Sequence, residues 1–103
     1  MRFYFSPEAS ADLDEIQRYL DQIPKQRVAP IRKGLRELIR EIASHPDRGA
    51  NHSQATLIFG FEVRTRVVTP YRIFYRDNRG VPEIIAVLHT ARDIESILSK
   101  RVQ

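Results

Sequence analysis

From Val63 to Asp93 the chain reads VRTRVVTPYRIFYRDNRGVPEIIAVLHTARD. Branched and aromatic residues recur there, interrupted at Thr69-Pro70 and at Asp77-Asn78-Arg79-Gly80. That is the pattern of consecutive strands joined by tight turns. Before this stretch the period is helical. Ala9, Leu13, Ile16, Leu20 and Ile23 step at three- and four-residue spacing, and so do Val28, Ile31, Leu35, Leu38, Ile39 and Ile42. Strands that follow helices, rather than alternating with them, pair through short turns into a largely antiparallel sheet. The expected class is therefore α+β.

Local signals set the expected boundaries. Arg2 to Phe5 reads as a short first strand. Ser6 can cap a helix that opens on Pro7, where the missing N–H costs nothing. Glu8, Asp12, Asp14 and Glu15 crowd its first turns, where the helix dipole favours negative charge. Pro24 stops it. Pro30 requires the second helix either to start late or to tolerate a proline. His45-Pro46 ends that helix, and Asp47 to Gln54 reads as a polar loop.

A long strand is then expected. Leu57, Phe59, Phe61, Val63, Thr65 and Val67 would share one face, and Gly60, Glu62, Arg64 and Arg66 the other. Tyr71 to Arg76 is the next strand. Pro82 to His89 is the last, and its apolar run from Ile84 to Leu88 predicts a position covered on both faces. Asp93 to Lys100 closes the chain as a short helix. The reading is β-α-α-β-β-β-α, one domain over residues 1–103, with a helical hairpin on one face of a small sheet.

At 103 residues one core is feasible without staples, and the absence of cysteine excludes a disulfide or thiolate site. The opening Phe3-Tyr4-Phe5 is too short for a signal sequence, and no apolar run approaches a membrane span. A cytoplasmic location is expected. The net charge is +4, and the excess lies mostly in the second half. Every basic residue of 51–99 is arginine. Guanidinium suits bidentate binding of phosphate or carboxylate, so an acidic partner is expected.

Several side chains are candidates for function. Glu62, Arg64 and Arg66 alternate onto one face, with neighbours two apart at about 7 Å. Arg72 and Arg76 repeat that parity on the next strand, and Tyr71 and Tyr75 take the other. Basic groups beside aromatic rings suit nucleic acid or a protein anchor. His89 has the chemistry of an acid or base near neutrality, although a structural histidine is the commoner case. Asp93 can cap the last helix or pair with Arg92, Arg64 or His89. If Glu62, Arg64 and His89 converged, they would supply the base, cation and acid of metal-free RNA cleavage. His45, Asp47 and His52 lack a metal-ligand spacing, and no cofactor-binding motif is present. No metal or cofactor is expected.

Taken in order, these pieces resemble the ParE branch of the RelE/ParE toxin superfamily. They are Ala9 with Ala11-Asp12-Leu13-Asp14-Glu15-Ile16 and Tyr19, then Pro46 and Gly49. Arg64 follows, seven residues before Tyr71-Arg72-Ile73-Phe74-Tyr75, and then His89 with Arg92-Asp93. The resemblance implies a toxin held in a hetero-oligomer by an acidic, partly disordered antitoxin that wraps it with a helix and an extended tail. ParE-type members are associated with poisoning of DNA gyrase, and RelE-type members with ribosome-dependent mRNA cleavage. RelE-type nucleases commonly carry basic residues on the sheet and an aromatic or histidine acid near the C-terminus. No tyrosine follows Tyr75, and Lys100-Arg101-Val102-Gln103 has no aromatic. The expectation is therefore a protein-docking toxin acting on gyrase. Arg64, Arg66, Tyr71, Arg72, Tyr75, Arg76 and Arg92 are its expected contacts, with His89 and Asp93 structural. The alternatives are the mRNA endonuclease and a non-toxic relic that only binds its antitoxin.

Overall fold

The computed structural model describes residues 2–103. The elements run β1 (Tyr4–Phe5), α1 (Pro7–Leu20), α2 (Lys25–Ser44), a 3-10 turn (Pro46–Arg48), β2 (Ala50–Asn51), α3 (Ser53–Phe59), β3 (Arg64–Val68), β4 (Tyr71–Asn78), β5 (Val81–His89) and α4 (Ile94–Arg101). The sheet order is β1-β5-β4-β3-β2. β1 lies parallel to β5, and the other neighbours are antiparallel.

Ser6 opens α1 as its sequence suggests. Its Oγ accepts from the Ala9 amide at 3.1 Å, with Pro7 in the first turn. Helix α2 takes the early start, at Lys25, and runs through Pro30. Proline leaves the carbonyl one turn earlier without its intrahelical donor. Pro30 is exposed, so water can serve that carbonyl. The β4–β5 turn places Arg79 and Gly80 both at positive φ, 56° and 84°. That is the handedness a two-residue hairpin loop needs to follow the sheet twist.

Two cores sandwich the sheet. On one face Ala9, Ile16 and Leu20 of α1 and Val28, Leu35, Leu38 and Ile42 of α2 pack on Tyr71, Ile73, Tyr75, Ile84 and Val87. On the other, Ala55 of α3 and Leu98 of α4 pack on Val63, Phe74, Ile85, Ala86 and Leu88. A bulge explains the unbroken apolar run in β5. Phe74 faces Ala86 and Tyr75 faces Ile84, which leaves Ile85 unpaired in the register. Ile85 and Ala86 both enter the second core, while Ile84 and Val87 enter the first.

The long strand expected from Leu57 is corrected. Residues Ser53–Phe59 form α3, and β3 begins only at Arg64. His52 Nδ1 accepts from the Ala55 amide at 3.1 Å and caps the helix. Gly60, at φ 79°, ends it in the left-handed conformation that glycine takes without strain. Ala55, Ile58 and Phe59 meet the second core at helical spacing, while Leu57 is 85% exposed. The apparent alternation of Leu57, Phe59 and Phe61 was compatible with both periods. α3 and β2 are additions to the expected element order; the helical hairpin on a largely antiparallel sheet is as read.

Candidate functional site

The β3–β4 register pairs Arg64 with Tyr75, Arg66 with Ile73 and Val68 with Tyr71. Opposed residues share a face, so Arg64 and Arg66 lie on the side covered by the helical hairpin. The strand parity is as expected, but that face is not the one opposite an aromatic core. It carries Tyr71 and Tyr75 itself. Arg66 meets Glu41 of α2 at 3.6 Å. Arg64 donates to the carbonyls of Asp47 and Gly49, both at 2.8 Å, and to Glu62 at 3.1 Å. Glu62 precedes the strand rather than belonging to it.

Tyr75 serves the same loop. Its hydroxyl accepts from the Gly49 amide at 2.9 Å and donates to the Pro46 carbonyl at 2.7 Å. Burial raises its phenol pKa above the usual value, so it stays a donor at neutral pH. Arg64 and Tyr75 therefore pin the turn after α2. Arg72 and Arg76 occupy the opposite face of the sheet. Arg72 donates to Thr65 Oγ1 at 3.3 Å, and the Arg76 guanidinium sits 4.3 Å from the centroid of the Phe61 ring.

The structure disperses the candidate cleavage trio. Arg64 pairs with Tyr75, while His89 pairs with Tyr71 from the other side of β4. Four residues along a strand and two strand spacings across put them on the order of 15 Å apart. His89 is exposed, and its Nδ1 accepts from the Ala91 amide at 3.0 Å. Asp93 caps α4, accepting from the Ser96 amide at 3.2 Å.

His89 and Arg92 instead join residues from α1. Asp12, Glu15, Ile16 and Tyr19 face Tyr71, Val87, Leu88, His89 and Arg92 across an open cleft of about 210 Å³. Ile16 and Val87 supply buried apolar surface. Tyr19 stands 58% exposed at the rim. The Tyr71 ring meets His89 edge-on, centroids 5.7 Å apart. Burial, and to a lesser degree Tyr19, raises the Tyr71 pKa, so its phenol is neutral here. Asp12 is already committed: it takes Arg101 through both oxygens at 2.6–2.7 Å and the Val87 amide at 3.0 Å. Glu15 and Arg92 are the exposed charges at the cleft. An apolar floor with aromatic and charged edges suits a side chain presented by a partner.

The sequence singles out Tyr71, His89 and Arg92 as candidate contacts, but not Glu15, Ile16 and Tyr19. The available signal was Tyr19, a large aromatic one position off the apolar stripe that ends at Leu20.

A family model described as the ParE toxin of type II toxin–antitoxin systems, parDE, matches residues 3–94. The chain belongs to the ParE toxin family. A solved structure described as the chromosomal ParDE toxin–antitoxin system from P. aeruginosa shares the fold. Its TM-score is 0.63 at 20% identity, over 86% of this chain and 95% of that one. No curated protein matches the chain significantly. In this ParE-family toxin the match spans every element lining the cleft and ends at Ile94, where α4 begins. No helix among the described residues is long and apolar enough to cross a membrane.

Proposed function

We propose that this ParE-type toxin acts by docking on a protein, that its target is DNA gyrase, and that the α1–β5 cleft is its principal contact surface. The supporting observation is the cleft itself: exposed Tyr19, with His89 and Arg92, around an apolar floor, at the opposite end of β4 from Arg64. The neutralising antitoxin is acidic and partly disordered. It covers the same cleft, with an apolar side chain on Ile16 and Val87 and an acidic one at Arg92. Arg64 and Tyr75 contribute by holding the loop after α2 rather than by touching the partner. Arg66 on the hairpin-covered face, and Arg72 and Arg76 on the opposite face, are secondary basic contacts outside the cleft. The separation of Glu62 and Arg64 from His89 weighs against ribosome-dependent mRNA cleavage by that trio.

Tyr19→Ala and Arg92→Ala test the assignment in a supercoiling assay with purified gyrase. An aromatic or arginine side chain that becomes desolvated in the complex is worth about 2 kcal/mol, so each variant should need roughly 30-fold more protein for half-inhibition. Thermal melting should stay near wild type, because both side chains are exposed. Full inhibitory potency in both variants removes the cleft from the contact surface.

A further inference from the structure

Helix α2 carries a second charged surface, which shares no lining residue with the cleft. Lys25, Ala29, Arg32 and Arg36 line a shallow groove on its outer side. Arg40 lies four residues beyond Arg36 and continues that line, since residues three and four apart stack on one helix face. The line spans about 22 Å at 1.5 Å per residue. Lys25, Arg36 and Arg40 are exposed, and among the described residues they form no ion pair. Arg32 is oriented by Gln17 and by Asp21 at 2.8 Å. Among the described residues Asp21 is the one carboxylate paired into the line. Lys33 and Glu37 beside it neutralise each other at 3.9 Å.

The chemistry of this line selects its partner. Protein hot spots combine arginine with Trp and Tyr in well-packed, desolvated pockets; this line has arginines, but no aromatic ring and only Ala29 as apolar lining. Single-stranded nucleic acid needs rings for its bases to stack on, and the line has none. Contact with a phosphate backbone needs only cations that can reach successive phosphates. Arg32, Arg36 and Arg40 follow one another at about 6 Å along the helix, with Lys25 about 10 Å before them, a repeat that suits the regular backbone of a duplex.

We propose that the Lys25–Arg32–Arg36–Arg40 face of α2 binds the sugar–phosphate backbone of duplex DNA without regard to sequence. The proposal is independent of the gyrase reading, because it concerns a different surface and needs no protein target.

Fluorescence anisotropy of the full chain with a short labelled duplex tests it. Log affinity should fall linearly with log salt, with a slope of roughly −3, close to 0.9 per neutralised phosphate for the three net charges. Arg36→Gln with Arg40→Gln should lose at least about tenfold in affinity at low salt and shallow the slope by roughly 2. Arg79→Gln with Lys100→Gln removes the same charge from exposed positions elsewhere and should bind nearly as wild type. Lys25→Gln with Arg36→Gln repeats the test should the first pair melt early. The proposal is overturned by absence of duplex binding or by equal losses in the control pair. Tighter binding of single strands or of poly-glutamate than of the duplex also overturns it, the last identifying an acidic-peptide dock.

Discussion

Removing Arg101 should destabilise the fold more than its place near the C-terminus suggests. Its guanidinium holds Asp12 through two short hydrogen bonds, and the two side chains are only 17% and 11% exposed. It also donates to the Ile85 carbonyl at 3.3 Å, while Asp12 accepts from the Val87 amide. β1 pairs only as far as Ile84, so these side chains finish an edge of β5 that no strand covers. Stripping one partner from a buried pair costs about 3–5 kcal/mol, because the other is left buried and charged. Asp12 keeps the Val87 amide and some water, so Arg101→Met should cost about 2–3 kcal/mol. In a domain this size that lowers Tm by roughly 10–15 °C. The double-mutant cycle with Asp12→Asn isolates the pair. Followed by urea and thermal unfolding, it should show a coupling of about 2 kcal/mol, the double variant being less destabilised than the single effects combined. Coupling below about 0.5 kcal/mol, the level of an exposed ion pair, would refute the view that α4 is locked to α1 through this bridge.

Three further outcomes follow from named contacts. Tyr75→Phe strands the buried Gly49 amide and the Pro46 carbonyl and should cost about 1–3 kcal/mol in urea denaturation. Gly34→Ala should destabilise although alanine is the better helix former, since its Cβ would lie 2.6 Å from Val68 Cγ2. In a Val68→Ala background the same change should become neutral or stabilising by up to about 1 kcal/mol. His52 caps α3 through neutral Nδ1, and burial, then Arg72, lower its pKa below 6.5. Its contribution is complete above pH 6.5 and declines as pH falls from there towards the lowered folded value. His52→Asn, a cap that does not titrate, should flatten Tm against pH across that window.

The helical hairpin and the last two strands were legible because each is long enough for its period to be unambiguous. Ala9, Ile16 and Leu20 mark one face of α1 over three turns, and Ile84 to Leu88 is too apolar for anything but a covered strand. Ser53–Phe59 was not legible, because a seven-residue segment satisfies both periods. Its true signals were the ends: His52, an uncommon cap, and Gly60 at positive φ. Parity correctly put Arg64 and Arg66 together, but it does not report which face a helix covers. Only the tertiary fold shows Arg64 turned onto the loop carbonyls of Asp47 and Gly49. The cleft was half legible. His89 and Arg92 stood out as a motif, while Tyr19 comes from some seventy residues earlier, and no local pattern reports that juxtaposition.

As proposed, this ParE-type toxin works by docking on gyrase. Plasmid supercoiling by purified gyrase, titrated with the wild-type chain and then with its antitoxin, tests it most directly. The prediction is inhibition that rises with toxin and is relieved by stoichiometric antitoxin. Undiminished supercoiling at saturating toxin, with cleavage of ribosome-bound mRNA by the same preparation, would contradict it.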